Sequence, residues 1–389
     1  MEKIKIGDVC DILNGYAFKS ENYVDSGIRI IRIANVQKGY IEDTSPAFYP
    51  LNATGLDRYR LVKNDLLISL TGNVGRVALL DQSLLPAALN QRVACLRLKT
   101  DKVTKKYLYH ILNSDFFERQ CIQAAKGVAQ KNMSTEWLKD YEIPLCAKEE
   151  QEKIIKVLDC VQRIIVNYKQ ELQKLDELVK SRFIEMFVTD KNVCNWSQVR
   201  ISDVSTDMRT GPFGSALHHD EFVDSGVFVL GIDNAVENRF SYNRMRYITE
   251  EKYNQLKRYT VYPGDIIITI MGTVGRSAVI PQDMPKAIST KHLACITPDS
   301  AVVDPCFLSS AFQMHPAIRL QLQNQCKGAI MDGLNLTIIK ELRFQLPPID
   351  QQKQFSEFVE QTDKLKFVIQ QALDKAQLLF DSLMQKYFS

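Results

Sequence analysis

Two short glycine-rich turns, each ending in arginine, are the segments whose composition most directly suggests chemistry. Residues 72–76 read Gly-Asn-Val-Gly-Arg and residues 272–276 read Gly-Thr-Val-Gly-Arg, each after an apolar, β-branched run. Glycine permits positive φ and close backbone approach. A phosphate could therefore rest on the exposed amides while the arginine reaches it or a base edge. The alternative is a tight hairpin with a solvated arginine. The candidate side chains are Asn73, Arg76, Thr273 and Arg276.

A second pair of segments carries amide and cationic side chains directly before a strand-like run. Residues 90–92 read Asn-Gln-Arg, and residues 290–292 read Thr-Lys-His. Asparagine and glutamine can bind adenine through two hydrogen bonds, and arginine or lysine can bind guanine. A strand-entry turn with solvated side chains fits the pattern equally well. The candidates here are Gln91, Arg92, Lys291 and His292.

Basic residues next to tyrosine precede both glycine-rich turns. They are suited to positioning phosphates, or they form a solvated face. A further glycine-rich loop, 209–214, lies near His218 and His219 and is a candidate for reading bases. The basic candidates in these segments are Arg58, Arg60, Lys63, Arg209, Lys257 and Arg258.

The sequence lacks the motifs of the common catalytic sites. There is no Gly-x-x-x-x-Gly-Lys-Ser/Thr loop, no Gly-x-Ser-x-Gly elbow, no His-Glu-x-x-His motif and no Asn/Asp-Pro-Pro-aromatic motif. The nine cysteines form no Cys-x-x-Cys pair, so no zinc site is expected. We therefore expect no catalytic residue, no metal and no cofactor.

The composition is that of a globular, intracellular chain. Of the 389 residues, 45% are hydrophobic and 24% are charged, which excludes a disordered protein and allows more than one domain. A net charge of +3 neither favours nor excludes nucleic acid, because a basic face can be balanced elsewhere. No signal peptide and no apolar run of membrane-spanning length is present. The expected location is the cytoplasm, without membrane contact.

The candidate segments recur because the chain is an internal duplication. Residues 65–76 match 265–276 at an offset of 200 (265 − 65). Earlier matches fall at 199, as between 23–28 and 222–227, and later ones at 201, as between Phe187 and Phe388. Such a small drift over nearly the whole chain indicates two copies of one domain.

Each copy has the same internal order, which predicts an α+β fold. A part with short β-branched runs and glycine or proline turns comes first, and a long stretch without glycine or proline follows. We predict two tandem strand-rich α/β domains, each followed by a long helix. The predicted boundaries are 1–145, 146–188, 189–346 and 347–389.

Apolar residues in both helical stretches alternate by four and three, which is typical of a coiled-coil seam. Antiparallel pairing of the two helices, with pseudo-two-fold symmetry, would put the strand-rich domains at opposite ends of a spacer of ~55 Å. An amphipathic cap on each domain is the alternative. The predicted first seam is Ile154, Leu158, Val161, Ile165, Tyr168, Leu172, Leu175 and Val179. The predicted second seam is Phe355, Phe358, Thr362, Leu365, Ile369, Ala372, Ala376, Leu379 and Leu383.

In the order of these features, the chain resembles the specificity subunit of a type I restriction–modification system over essentially its full length. The resemblance depends on the duplicated glycine-rich turns, the opening segment 6–9, the segment 89–94, the end of the first helix at 180–187 and the Pro-Pro-Ile-Asp-Gln-Gln run at 347–352. No single motif is diagnostic, but their order twice in one chain is specific. The first helix lacks the double proline, and Lys291-His292 replaces Gln91-Arg92 in the second copy.

The resemblance implies a non-catalytic subunit that binds double-stranded DNA and reads an asymmetric target in two parts. It further implies two adenine-methyltransferase subunits docked on the helices, and two restriction subunits in the full complex. Recognition subunits of related two-part restriction enzymes share the architecture. The competing hypothesis from another class is a coiled-coil protein adaptor that does not read DNA.

Overall fold

The computed structural model of the chain describes residues 2–125, 132–189, 195–213, 216–325 and 334–388. Gly214 of the glycine-rich loop 209–214 lies outside the described residues. Within the described ranges, no helix combines the length and apolarity needed to cross a membrane.

The described part of the first copy contains ten strands and five α-helices. The strands are β1 (Glu2–Lys5), β2 (Cys10–Asn14), β3 (Ile28–Ile31), β4 (Phe48–Tyr49), β5 (Arg60–Leu61), β6 (Leu66–Ser69), β7 (Val77–Leu79), β8 (Ala87–Leu89), β9 (Val93–Leu98) and β10 (Glu142–Leu145). The helices are α1 (Ile6–Val9), α2 (Lys105–Leu112), α3 (Asp115–Ala124), α4 (Thr135–Asp140) and the long α5 (Lys148–Phe187).

The described strands of the first copy form two four-stranded sheets and a short antiparallel pair. The first sheet has the order β2-β9-β6-β7 and is antiparallel throughout. The second has the order β4-β3-β8-β5, with β3 and β8 parallel. The short pair consists of β1 and β10, and β10 immediately precedes the long helix α5.

The second copy repeats this plan, as the duplication in the sequence predicts. Its strands are β11 (Gln198–Arg200), β12 (Ser205–Thr210), β13 (Val227–Leu230), β14 (Tyr247–Ile248), β15 (Thr260–Val261), β16 (Ile266–Thr269), β17 (Ser277–Val279), β18 (Ala287–Ser289), β19 (Leu293–Pro298) and β20 (Arg343–Gln345). They form sheets of order β12-β19-β16-β17 and β14-β13-β18-β15. Its helices are α6 (Glu250–Leu256), α7 (Pro305–Met314), α8 (Pro316–Gln325), α9 (Leu336–Glu341) and the long α10 (Ile349–Phe388).

Strand β6 shows how the layers are held together. All four of its side chains are buried, and successive side chains of a strand point to opposite faces. Leu66 and Ile68 pack in the core that includes α2, whereas Leu67 packs in the core of the second sheet. The first sheet is therefore the middle layer, between the helices and the second sheet. Residues 266–268 make the same division in the second copy.

Side-chain caps fix where the short helices begin. The hydroxyls of Thr104 and Ser114 accept hydrogen bonds from backbone amides in the first turns of α2 and α3. Asp304 caps α7 in the same way, with Pro305 at its first position. Such caps satisfy amides that have no partner within the helix, and each contributes about 1 kcal/mol.

The two compact units of the protein divide both long helices between them. The first unit is Met1–Lys169 with Gln370–Ser389, and the second is Gln170–Ile369. In the first unit, Ile154 near the start of α5 shares a core with Phe388 at the end of α10. In the second unit, Phe183 near the end of α5 shares a core with Phe355 near the start of α10. Within each unit the helices therefore pair antiparallel, as the repeated seam predicts.

The predicted seam of α5 is confirmed, whereas that of α10 is wrong at Leu365 and Leu379; the other predicted residues after Thr362 are half-buried, namely Ile369, Ala372, Ala376 and Leu383. Ile154, Leu158, Val161, Ile165 and Val179 are buried, and Tyr168, Leu172 and Leu175 are half-buried. On α10, Leu365 and Leu379 are 49% and 51% exposed. The helix instead turns Lys366, Leu373 and Phe380 inward. A seam through these three residues keeps an alternating spacing of four and three residues. It places a lysine in the seam, and a search for apolar residues alone does not select that position.

Candidate nucleic-acid interface

Several of the loops that connect the strands of the first unit lie together at one edge of its sheets. Strands β3 and β8 are parallel, so both end at the same edge. Asn14 at the end of β2 pairs with Ala94 at the start of β9, and Ser69 at the end of β6 pairs with Val93. We call residues 15–18, 32–35, 70–76 and 90–92 the first loop edge.

The glycine-rich turn of the first loop edge is a hairpin between β6 and β7. The amide of Arg76 donates to Oγ of Ser69 at 3.0 Å, and the amide of Gly75 donates to the Ser69 carbonyl at 3.0 Å. Gly72 and Gly75 have φ of 70° and 81°, where a side chain would strain the backbone. The glycines are therefore explained by the turn itself, which exposes Asn73 at its tip and places Arg76 at its base beside Ser69.

The predicted segment 90–92 lies directly beside this hairpin. The amide of Leu70 donates to the Arg92 carbonyl at 3.0 Å, and the amide of Gln91 donates to the Tyr16 carbonyl at 3.0 Å. These backbone bonds join three connections into one surface. The structure thus brings together two groups of candidate residues that lie about 15 positions apart in the sequence.

The second unit builds the same surface from residues 211–213, 231–234, 270–276 and 290–292, which we call the second loop edge. The amide of Arg276 donates to Oγ1 of Thr269 at 3.0 Å, and the amide of Ile270 donates to the His292 carbonyl at 2.9 Å. Gly272 and Gly275 have φ of 72° and 82°. Thr273, Arg276, Lys291 and His292 therefore share one edge.

The candidate side chains of both loop edges are mostly free to meet a ligand. Gln91, Arg92, Arg276 and Lys291 are exposed or at the surface, and we find no side-chain hydrogen bond or ion pair for them among the described residues. Arg76 and His292 do have side-chain partners: Nη1 of Arg76 donates to Oε1 of Gln37, and the imidazole of His292 contacts Met271. The first loop edge thus combines amides with arginine, whereas the second is dominated by cations.

His292 occupies a cationic environment on the second loop edge. Its Nδ1 lies 3.1 Å from Sδ of Met271. Partial burial, followed by the positive charges of Lys291 and Arg246, lowers the pKa of His292 below its usual value. A nearby anion would have the opposite effect, because it stabilises the charged imidazolium.

The basic–aromatic segments lie next to the loop edges. Arg60 pairs with Ala88, so the residues before Arg60 approach the end of β8. The guanidinium of Arg58 stacks on Tyr59 at 4.6 Å, and the Tyr59 ring lies 5.3 Å from that of Tyr16 on the first loop edge. In the second unit Arg258 stacks on Tyr259 at 4.7 Å, next to the exposed Lys257.

Lys63 lies away from the first loop edge. It precedes the start of β6, whereas the loop edge follows the end of that strand. Its charge contributes to lowering the pKa of Asp81, although hydrogen bonds from Ser83 have the larger effect. The structure therefore does not bring Lys63 together with the other candidates.

Arg209 has an internal role that its sequence context does not reveal. Its guanidinium donates to the Thr260 carbonyl at 2.6 Å, to Oδ2 of Asp265 at 2.5 Å and to Oγ1 of Thr297 at 2.9 Å, and its side chain is 12% exposed. In the first unit Arg97 binds Asp65 and the Arg60 carbonyl from a neighbouring strand. A guanidinium thus binds the equivalent aspartate in each unit, Asp65 in the first and Asp265 in the second. Because its N–H groups are occupied in this way, Arg209 has few donors left for DNA.

Two side chains missed by the sequence analysis belong to this surface. Tyr16 stands between Phe18 and Tyr59 with ring distances of 5.0 and 5.3 Å. Arg246 binds Asp233 on the second loop edge through Nη2 and Oδ2 at 2.5 Å. Both lie far in sequence from the glycine-rich turns, and only the basic run at 239–246 hints at Arg246.

The loop edges offer hydrogen-bond donors, cations and rings rather than a reactive constellation. Among the described residues, no group of three or more histidine, cysteine or acidic side chains is arranged to hold a metal ion. Such an assortment of groups suits phosphate positioning and contacts with base edges.

Comparison with known proteins identifies the family. The model of the type I restriction modification DNA specificity domain matches residues 1–177 and again residues 195–377. The chain belongs to this family. It is a non-catalytic recognition subunit, concerned with DNA target recognition and assembly within a type I restriction–modification complex.

Individual relatives match all or part of the chain. The EcoBI specificity subunit of Escherichia coli is 26% identical over 418 aligned residues, covering 99% of this chain and 85% of the relative. The EcoAI specificity subunit of Escherichia coli is 32% identical over 163 residues, covering 41% and 28%. The crystal structure of the S subunit from M. genitalium has a TM-score of 0.58 at 16% identity, covering 100% of this chain and 96% of that chain. This structural likeness confirms the fold.

Proposed function

We propose that each unit of this specificity subunit reads one half of an asymmetric, two-part DNA target through its loop edge. One observation supports the proposal. In each unit, loops rich in amide and cationic side chains come together at the same edge of the sheets. Equivalent positions carry different residues, Gln91-Arg92 against Lys291-His292. Two differing readers imply two differing half-sites.

The proposed DNA contacts of the first unit are side chains of the first loop edge and of the basic segment next to it. Gln91 supplies an amide that matches adenine, and Arg92 supplies a fork of donors that matches guanine or phosphate. Asn73, Arg76, Arg58 and Arg60 would position the phosphate backbone around these contacts. The second loop edge would use Lys291 and His292, with Thr273, Arg276, Lys257 and Arg258 around them.

The long helices would act as a spacer and as the docking surface for two methyltransferase subunits. Both helices expose large apolar side chains at positions 201 residues apart, such as Val166 at 45% and Phe367 at 64%. Exposed apolar positions of this kind mark protein-binding surfaces. Because the surface occurs twice, it suits two copies of one partner. Restriction subunits would join this assembly. The other exposed pairs are Ile164 with Leu365 and Leu178 with Leu379.

Binding to duplex DNA over a range of salt concentrations tests the reading role. The complex of this chain with its methyltransferase subunits would be compared with its Arg92→Ala and Lys291→Ala variants. Each lost phosphate contact should lower the slope of log affinity against log salt by about 0.9, and a lost base contact should instead relax sequence preference.

Lys99→Ala is the matched control, because Lys99 follows β9 at the end opposite the first loop edge. It removes the same charge and should leave affinity unchanged. If both loop variants behaved like Lys99→Ala, the loop edges would not be the DNA-binding surface. A complex that showed no salt-dependent DNA binding at all would favour a protein adaptor.

A further inference from the structure

The guanidinium of Arg246 is held in a fixed place on the second loop edge. The amide of Val229 donates to the Arg246 carbonyl at 2.8 Å, which anchors the backbone beside β13. Nη2 of Arg246 donates to Oδ2 of Asp233 at 2.5 Å. The side chain is 25% exposed, so it is neither buried in the core nor free in solvent.

Gly231 makes room for this guanidinium. A Cβ atom at position 231 would lie 2.3 Å from Nη1 of Arg246, which is far too close for a non-bonded contact. The φ of Gly231 is −121°, a value that any residue adopts. The backbone therefore does not demand glycine here. A side chain at residue 231 would instead displace the end of the Arg246 side chain, which lies across this residue.

This guanidinium belongs to the reading surface. Gly231 and Asp233 are part of the second loop edge, and the amide of Thr290 donates to the carbonyl of the preceding Leu230 at 3.0 Å. The charge of Arg246 also acts on the imidazole of His292 together with that of Lys291. Arg246 thus stands beside the cations that the proposed function places in contact with DNA.

The pairing with Asp233 favours a base over a phosphate as the target. A carboxylate that binds one edge of a guanidinium offsets part of its charge and fixes its plane, which lowers the entropy cost of binding. A fixed planar fork matches O6 and N7 of guanine in the major groove. Phosphate attraction depends mainly on net charge and gains less from such orientation.

The first unit lacks this arrangement. The amide of Ile30 donates to the Ala47 carbonyl at 2.8 Å, so Ala47 occupies the place of Arg246. Arg32 stands where the second unit has Gly231, and Ala34 stands where it has Asp233. The Arg32 guanidinium instead donates to the Ser45 carbonyl. Among the described residues, the first loop edge therefore has no carboxylate-held arginine at the position that Arg246 takes in the second.

We propose that Arg246, oriented by Asp233, reads a guanine in the half-site bound by the second unit. The inference rests on the proposed function, because it assumes that the second loop edge meets DNA. It names a specificity-determining residue and the base that this residue selects.

Long-read mapping of N6-methyladenine in cells that carry the chain and its methyltransferase subunits tests the inference. With Arg246→Gln, one G·C position in one half of the target should lose its discrimination by on the order of 10- to 100-fold. The other half should stay unchanged. Arg246→Lys, which keeps the charge but not the fork, should relax the same position, and so should Gly231→Ala, which displaces the guanidinium.

Arg239→Gln is the matched control, because Arg239 lies on the same connection with its side chain 73% exposed. It should leave the motif intact. An unchanged motif in the Arg246→Gln and Gly231→Ala variants would overturn the inference and leave the proposed function standing. So would a uniform loss of methylation without relaxation, which would make Arg246 a phosphate contact. A wild-type chain that gave no two-part motif would overturn both.

Discussion

Nζ of Lys366 on α10 lies 2.6 Å from Oδ1 of Asp176 on α5, within the helix pair of the second unit. The lysine side chain is only 18% exposed, so its stem fills a seam position while its amine reaches the rim. In the first unit the residues at the corresponding positions are Ile165 and Gln377. A single charged residue in a seam specifies register and partner at some cost in stability.

We predict that Lys366→Met leaves the stability of the chain unchanged or raises it by about 1 kcal/mol, because methionine fills the seam without desolvating a charge. It should also allow mispaired helices, which light scattering would detect as a larger oligomeric fraction. Lys364→Met is the control, because Lys364 lies outside the seam and pairs with Glu360. A strictly monomeric Lys366→Met chain would show that the ion pair does not set helix pairing.

The fold could be predicted from the sequence because the duplication presents the same pattern of strands, turns and helices twice. Matching turns, strand-like runs and helical seams at one offset constrain each other. The seam of α10 was misplaced at Leu365 and Leu379, because both are apolar yet exposed, while Lys366 is inward. Apolar periodicity alone cannot distinguish a seam from an exposed apolar stripe.

The candidate site was predictable only in part, because backbone contacts decide which loops meet. Residues 72–76 and 90–92 proved neighbours through the bond between Leu70 and Arg92. Arg209 lies in a basic, glycine-rich segment but binds Asp265 internally. Arg246 was missed because its importance depends on Asp233 and on the missing side chain of Gly231, neither of which is a sequence motif.

The end of α10 should stabilise the first unit rather than the second. Phe388 is 5% exposed and its ring packs 5.6 Å from that of Tyr107. We predict that Phe388→Ala destabilises the first unit by about 3 kcal/mol through the cavity it leaves. Hydrogen exchange should show lost protection in residues 2–125 and little change in 195–325. Leu378→Ala, at a position that is 70% exposed, is the control. Equal loss in both units would contradict this division.

DNA binding by the second loop edge should strengthen as the pH falls. Burial and neighbouring cations lower the pKa of His292 in the free protein, whereas a DNA phosphate would raise it. Protons are therefore taken up on binding, and affinity should rise between about pH 7.5 and about pH 5.5. His292→Asn should remove this added dependence in a fluorescence-based titration. A wild-type affinity that is flat over this range would place His292 away from the phosphates.

If the long helices act as a spacer, lengthening them should change the gap between the two half-sites and not the bases that are read. Inserting one heptad into both α5 and α10 lengthens the helix pair by about 10 Å while keeping the seam in register. The unread gap between the half-sites should widen by about three base pairs, and both half-sites should stay the same. Methylation mapping would show this directly. A functional variant with an unchanged gap would mean that the helices do not set the spacing.

The most direct test of the central claim is methylation mapping in cells that carry the methyltransferase subunits with and without this chain. We expect N6-methyladenine in a two-part motif with a fixed gap and two different halves, present only when the chain is present. The same motif without the chain, or no motif with a demonstrably competent methyltransferase, would contradict the claim that this chain reads the target.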